Sequence, residues 1–177
     1  LLSKAKKLSV THPNGTNLQL KLAHMTGRYP LVDTGVMREQ YDPATSQKYG
    51  VLTNLPAGGV ACVPKEDSAR GTIKFNLPTP GVKNLTRDVS LTFGRDGRLR
   101  KYSGGKNFDE NFRKPYEKEN KPDKGKAAII SIGVNPKQKT GYGFDDSSEG
   151  VFLLGIGHYG YGDINKTRFN FYGLLEG

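Results

Sequence analysis

Hydrophobic and polar residues alternate along much of the chain. Residues 18–22 and 72–77 carry an apolar residue at every second position, as a strand with one buried face requires. Two more alternating stretches, residues 89–93 and 98–102, flank the sequence Gly-Arg-Asp-Gly at 94–97. The Asp-Gly pair tolerates positive φ, so this pattern predicts a β-hairpin closed by a short loop.

The second half of the chain is more apolar. Residues 127–134 and 151–156 are nearly continuous apolar runs, which is typical of strands that are buried on both faces. Residues 168–172 alternate again and predict a last strand, whereas residues 31–50 predict a long loop. Together these patterns predict about seven to nine strands in a mostly antiparallel arrangement.

One stretch has helical rather than strand periodicity. Within residues 107–119, Phe108, Phe112 and Tyr116 follow one another at intervals of four. This spacing predicts a single amphipathic helix near 107–119, with its aromatic side facing the core. Pro115 must lie near an end of that helix or kink it, because proline has no backbone N–H to donate.

The composition agrees with a β-rich chain that has many turns. Of the 177 residues, 23 are Gly and 10 are Pro, and hydrophobic residues make up 34%. The length suits about one domain, so residues 1–177 are predicted to form a single α+β domain, mostly antiparallel, with a charged helix-and-loop excursion at 104–126. Since the sequence lacks an initiator Met and a signal-peptide core, we expect the C-terminal fragment of a longer chain.

The number of cysteines and the length of the apolar runs indicate where in the cell the protein is expected. Cys62 is the single cysteine, which excludes an internal disulfide and a multi-cysteine zinc site. A cytoplasmic, reducing location is expected, and Cys62 in its apolar strand is predicted to be a buried, inert thiol. The apolar runs are too short to span a bilayer, so no membrane partner is expected.

The chain is strongly basic, with a net charge of +10 and a pI near 9.6. Such a charge suits a polyanionic partner. The basic residues are nevertheless scattered, and the densest part, residues 101–126, also carries five acidic residues. No recognition helix or RNP-like aromatic motif accompanies them, so the sequence favours a solvated basic surface over nucleic-acid binding.

Several short motifs occur in an informative order. They are NGTNL at 14–18, NLPAG at 54–58, PKEDS at 64–68, GTI at 71–73, IGVN at 132–135 and LGIG at 154–157. In this order they resemble the C-terminal part of the aminopeptidase T family, metallo-aminopeptidases that remove N-terminal residues from peptides with two divalent metals. The resemblance implies a missing N-terminal α/β domain and allows a homodimer.

The resemblance also places metal ligands at four positions. In the family, the NLPAGE turn and the strand before IGVN each supply a glutamate, while two later strands supply histidines. The matching residues here are Gly59, Ile129, Leu153 and Asn170. The resemblance therefore implies that the metal site is lost, so neither a cofactor nor a catalytic residue is expected. The four positions are expected to converge on one apolar region.

Other polar residues offer alternative sites. His158, Tyr161 and Asp163 share a glycine-rich stretch and could bind a ligand together, although a solvated loop histidine is the more common case. Glu66 and Asp67 could bind a cation or a substrate amine. We favour a turn in which Asp67 accepts backbone N–H groups.

Three functions follow from these observations. The first is an aminopeptidase-T-like domain without peptidase activity, which serves as a structural, assembly or binding module. The second is an active metallo-aminopeptidase or related metal-dependent enzyme with a peptide substrate and a site rebuilt around His158 and Asp163. The third, which the scattered charges disfavour, is a basic domain that binds nucleic acid or another polyanion.

Overall fold

A computed structural model describes residues 5–23, 31–32, 39–42, 47–51, 57–77, 88–141, 145–158 and 167–177, with the backbone alone for residues 31–51. These residues contain twelve strands: β1 Lys7–His12, β2 Thr16–Lys21, β3 Leu31–Val32, β4 Glu39–Asp42, β5 Gln47–Val51, β6 Gly59–Cys62, β7 Arg70–Phe75, β8 Val89–Phe93, β9 Leu99–Ser103, β10 Ala127–Gly133, β11 Val151–Gly157 and β12 Asn170–Glu176. Their pairings are antiparallel, and the predicted β-rich α+β class is confirmed.

The first sheet has the strand order β1-β2-β7-β8-β9. Its strands alternate as predicted, with Leu18 and Leu20 of β2 buried and the residues between them exposed. The hairpin between β8 and β9 is also confirmed: the Gly94 N–H donates to the Arg98 carbonyl at 2.9 Å, and Gly97 adopts a φ of 74°. This sheet therefore has one face in the core and one face toward solvent.

The second sheet has the strand order β12-β11-β10-β6-β3 and is buried on both faces along β10 and β11. One face packs against the first sheet and contributes Ile130, Leu154 and Phe171 to the main core. The opposite face carries a separate apolar cluster that includes Ile129 and Leu153. The two near-continuous apolar runs thus form strands of the type that the sequence predicted.

The two sheets meet most closely between β7 and β12. The rings of Phe75 and Phe171 are 6.1 Å apart, and Gly173 lies directly against Phe75. A Cβ atom at Gly173 would come within 2.3 Å of that ring. Each large apolar side chain buried in this interface stabilises the fold by about 1.5–3 kcal/mol.

The predicted helix is present as a short composite. A π-helical turn, Asp109–Arg113, leads into helix α1, Lys114–Lys118, and Pro115 lies in the first turn of α1. The N–H of Lys114 donates to the carbonyl of Asp109, five residues earlier, just before the proline interrupts the ladder.

No helix in the described part of the chain is long and apolar enough to cross a membrane.

The aromatic side of this helix contacts the core as predicted. The Phe112 ring stacks 4.8 Å from that of Phe108 and 5.5 Å from that of Tyr116. It also meets Phe169 and Phe171 edge-on, at 5.4 and 4.9 Å. The helix is therefore held by aromatic packing, which offsets the low intrinsic stability of so short a segment.

Two boundaries differ from the predictions. Residues 31–50, predicted as a long loop, contain β3, β4 and β5, and β4 and β5 form an antiparallel hairpin. Each of these strands has five residues or fewer, which is too short to establish an alternating pattern in the sequence. The last strand starts at Asn170 and continues to Glu176, because its pairing with β11 extends over seven residues.

The position of Cys62 generates a prediction about thiol chemistry. Its side chain is fully buried in the main core, and burial raises the pKa of the thiol from 9.0 to about 11. Because thiolate is the reactive form, the native protein should not react with Ellman's reagent at mildly alkaline pH. One thiol per chain should react in guanidinium chloride, and none in Cys62→Ser. Rapid reaction of the native protein would contradict the buried position.

Candidate functional site

The four positions matched to metal ligands lie on one face of the second sheet. This outer face looks away from the first sheet, because its residues alternate with those of the main core. Gly59 is paired with Gly133 on β10, and Ile129 with Gly155 on β11. The sequence alone could not place these positions on a common face, since they come from four different strands.

Three of the four positions are grouped around Ser131. Leu153 is the cross-strand neighbour of Ser131, and Ile129 precedes it by two residues on the same strand. A Cβ atom at Gly59 would lie 3.4 Å from the Ser131 hydroxyl oxygen. These contacts make a compact group, which we call the Ser131 group: Gly59, Ile129, Ser131 and Leu153.

Asn170 lies apart from the Ser131 group. The register places it three strands across from Gly59 and six residues further along, which is about 20 Å in the strand direction. Its side chain is exposed near the edge of the sheet. The expectation that all four positions converge on one region therefore does not extend to Asn170.

The Ser131 group is apolar in character. Ile129 and Leu153 are 1% and 8% exposed and pack with Val151 and Leu174. Tyr172 borders this cluster, where burial raises the pKa of its phenol while a hydrogen bond with Asn170 opposes that shift. Among the described residues there is no group of three or more His, Cys, Asp or Glu side chains arranged to hold a metal ion.

The acidic pair Glu66 and Asp67 lies in a turn, as predicted, and both carboxylates also contact a lysine. The predicted turn exists, with the Ser68 N–H donating to the Lys65 carbonyl at 3.2 Å and Asp67 at a φ of 57°. Both carboxylates, however, face the Lys126 ammonium, at 3.3 Å for Asp67 and 3.7 Å for Glu66. A cation from the chain itself occupies the place where an external cation or amine was considered.

Lys126 is the centre of this charged group. It is only 7% exposed, and its Nζ also lies 2.9 Å from a carboxylate oxygen of Asp123. Burial by itself would lower the pKa of Lys126, but hydrogen bonds to Asp123 and Asp67 outweigh it and raise the pKa above its usual value. The ammonium therefore stays protonated, although it is nearly enclosed.

The turn that carries Asp67 is fixed on two further sides. The Ser68 hydroxyl accepts from the Lys21 N–H at 3.1 Å and donates to the Lys21 carbonyl at 3.2 Å, which attaches the turn to the first sheet. Gly97 of the hairpin lies against the Asp67 backbone, where a Cβ atom would be 2.2 Å from the carbonyl carbon. The crossing from β6 to β7 is thus held by charge, hydrogen bonding and close backbone contact.

Lys126 and Asp123 were not predicted as parts of any site. In the sequence they belong to the charged excursion at 104–126, where most charged side chains are exposed in the structure. The sequence does contain one indication that Lys126 is buried, since it directly precedes the apolar strand β10. The aliphatic stem of a lysine at such a position packs against the neighbouring apolar surface. Its carboxylate partners could only be assigned from the tertiary structure.

The alternative site around His158 can be described only in part. His158 follows β11 and is half-buried, and its backbone N–H donates to the Phe169 carbonyl at 2.6 Å. Tyr161 and Asp163 lie outside the described residues. The shared site that was considered for these three residues stays a prediction.

Comparison with known proteins supports the fold but not a family. No family model and no curated protein matches the chain. A solved structure, 2,5-dihydroxypyridine dioxygenase from Pseudomonas putida KT2440, matches with a TM-score of 0.69 and 22% sequence identity. The match covers 98% of this chain and 50% of that chain, so the chain spans about half of that protein's length. At this identity the likeness shows the fold alone, and the aminopeptidase T resemblance stays a prediction.

The buried ammonium generates a prediction about stability. Lys126→Met keeps most of the aliphatic stem but leaves three carboxylates without their cation, so the free energy of unfolding should fall by about 1–3 kcal/mol at neutral pH. The contribution of Lys126 is present below its unfolded pKa of 10.5 and is lost as pH rises through its higher folded pKa. Urea denaturation of the variant and the parent chain measures the difference.

The matched control for this prediction is Lys121→Met. Lys121 belongs to the same segment but is exposed, so the substitution should change the free energy of unfolding by less than about 0.5 kcal/mol. Equal losses in the two variants would show that the ion pairs of Lys126 contribute nothing specific.

Proposed function

We propose that this chain is a domain of a longer protein and serves as a structural, assembly or binding module without its own metallopeptidase centre. The Ser131 group is the observation that carries this proposal. At the places where the resemblance puts two glutamates and a histidine, this face has Gly59, Ile129 and Leu153. Their side chains offer no lone pair to a divalent cation.

The physical chemistry of this face supports the same conclusion. Clustered carboxylates in a buried site are costly unless a metal offsets their mutual repulsion and desolvation. Ile129 and Leu153 instead bury apolar surface, each with about 1.5–3 kcal/mol of favourable transfer free energy. The face therefore contributes to the stability of the second sheet.

The proposed context is a two-domain protein. The dioxygenase that shares this fold is about twice as long as the matched region, which leaves room for another domain in a longer chain. The aminopeptidase T resemblance suggests an α/β domain on the N-terminal side, and a homodimer is one assembly that such a protein could form. A catalytic site, if the longer protein has one, would then depend on residues from outside this chain.

A direct test is to measure metal content and turnover of the purified chain. We expect less than about one tenth of an equivalent of Zn²⁺, Co²⁺, Mn²⁺ or Fe²⁺ after dialysis. We also expect no hydrolysis of leucine p-nitroanilide and no oxygen consumption with 2,5-dihydroxypyridine and Fe²⁺. Stoichiometric metal with turnover would overturn the proposal. If both were lost in His158→Ala/Asp163→Ala, the rebuilt site would take its place.

Gly59→Glu tests the Ser131 group itself. One carboxylate cannot complete a coordination shell, so the variant should bind no more zinc than the parent chain in a calorimetric titration. The new charge enters a half-buried place beside Ser131 and should lower the free energy of unfolding by about 1–3 kcal/mol. Gly59→Ala, which adds bulk without charge, is the control. Micromolar zinc affinity of Gly59→Glu would show that further ligands already surround this position.

A further inference from the structure

The solvent face of the first sheet has an unusual charge distribution. The five strands of this sheet contain six Lys or Arg residues and no Asp or Glu. Alternation places five of these bases on the face that points away from the core: Lys7, Lys21, Arg70, Lys74 and Lys101. We call this surface the basic face. All five side chains are exposed.

The bases form a diagonal band across the sheet. Lys7 and Lys21 are directly paired at one end, Arg70 follows on β7, and Lys101 lies on the edge strand β9 opposite Thr92. From the strand spacing and the rise per residue, the band from Lys7 to Lys101 is about 23 Å long. Double-stranded DNA presents one negative charge per roughly 1.7 Å of axis, so a duplex along the band offers about a dozen phosphates.

The sixth base and three of the nearby acids are engaged in ion pairs away from the basic face. Arg100 lies at the bulge of β9 and forms an ion pair with Asp96 in the hairpin turn. Glu66 and Asp67 face Lys126 at the junction between the sheets. Asp88 directly precedes β8 and is exposed. It lies outside the strand and is therefore not one of the strand residues that form the basic face.

The neutral residues of the basic face point to the same kind of partner. Between the bases lie hydroxyl and amide side chains: Ser9, Thr11, Asn17, Gln19, Thr72, Ser90, Thr92 and Ser103. Lys, Arg, Ser, Thr, Asn and Gln are the side chains that contact phosphate and sugar oxygens in nucleic-acid complexes. These outward positions include no aromatic residue to stack on an unpaired base and no apolar residue to enter a lipid layer.

We propose that the basic face binds the phosphate backbone of double-stranded nucleic acid without reading its sequence. This inference goes beyond the proposed function and does not depend on it, since the Ser131 group lies on the other sheet. Three to four phosphate contacts would give a plot of log K against log salt with a slope of about −3 to −4. Binding should be independent of base sequence, because contacts to phosphate carry no sequence information.

The test measures fluorescence anisotropy of a labelled DNA duplex of about 20 base pairs, between about 50 and 200 mM salt. The face variant carries Lys7→Gln, Lys21→Gln, Arg70→Gln and Lys74→Gln. The control variant carries Lys114→Gln, Lys118→Gln, Lys121→Gln and Lys137→Gln, four exposed bases outside the basic face, and so has the same net charge. If the four substitutions lower the melting temperature, Lys21→Gln/Arg70→Gln provides the same comparison with a smaller change.

The expected result is a loss of affinity of about tenfold or more in the face variant, a shallower salt slope, and little change in the control. An unlabelled duplex should displace the probe, while poly-glutamate at equal charge concentration should not. No binding by the parent chain at the lowest salt, equal losses in the two variants, or equal competition by poly-glutamate would each overturn the proposal. The last outcome would indicate an acidic protein surface as the partner instead.

Discussion

The fold depends on how the chain crosses from one sheet to the other. The segment between β6 and β7 leaves the second sheet and enters the first, and the Lys126 ammonium holds its turn through Asp67 and Glu66. A lysine this deeply buried is tolerated only because several carboxylates surround it, and Asp123 completes the set. Because the carboxylates are themselves partly exposed, they keep some hydration while they neutralise the ammonium. The junction therefore joins the sheets without a fully desolvated ion pair.

The two sheets differ in polarity: the second is apolar on both faces, and the first has one apolar face and one basic face. The second sheet is apolar on both faces along β10 and β11, so it acts as the hydrophobic centre and requires cover on either side. The first sheet is apolar only toward that centre, and its other face carries the exposed bases. This division explains how a chain with a net charge of +10 can contain an extensive core. Most charged side chains of the described residues lie on surfaces that the core does not use, and the buried Lys126 is neutralised by the carboxylates around it.

Much of this architecture follows from alternation in the sequence. The period of two residues located β2, β7, β8 and β9, and the Asp-Gly pair fixed the hairpin, because both signals are local. Alternation failed over residues 31–50, where short strands offer too few residues to establish a period. The pairing of Lys126 with Asp67 was not predictable, since 59 residues separate them and only the junction between the sheets brings them together.

The basic face shows a second limit of prediction from the sequence. Its bases look scattered along the sequence, and only strand register shows that they share one surface. The Ser131 group has the same origin: Gly59, Ile129 and Leu153 are neighbours because three strands pair in one register. Residue identity and alternation can be taken from the sequence, but the order of strands in a sheet cannot. Surface sites built across strands are for this reason harder to predict than motifs within one strand.

The contact between Gly173 and Phe75 also determines how the sheets align. The neighbouring inward residues of β12 are Phe171 and Leu175, so a shift of β12 by two residues in either direction would set a large side chain against the Phe75 ring. Only the glycine leaves space there. The contact between Gly173 and Phe75 therefore selects one relative position of the two sheets among several that would bury a similar amount of apolar surface. A residue without a side chain thereby supplies specificity to the packing.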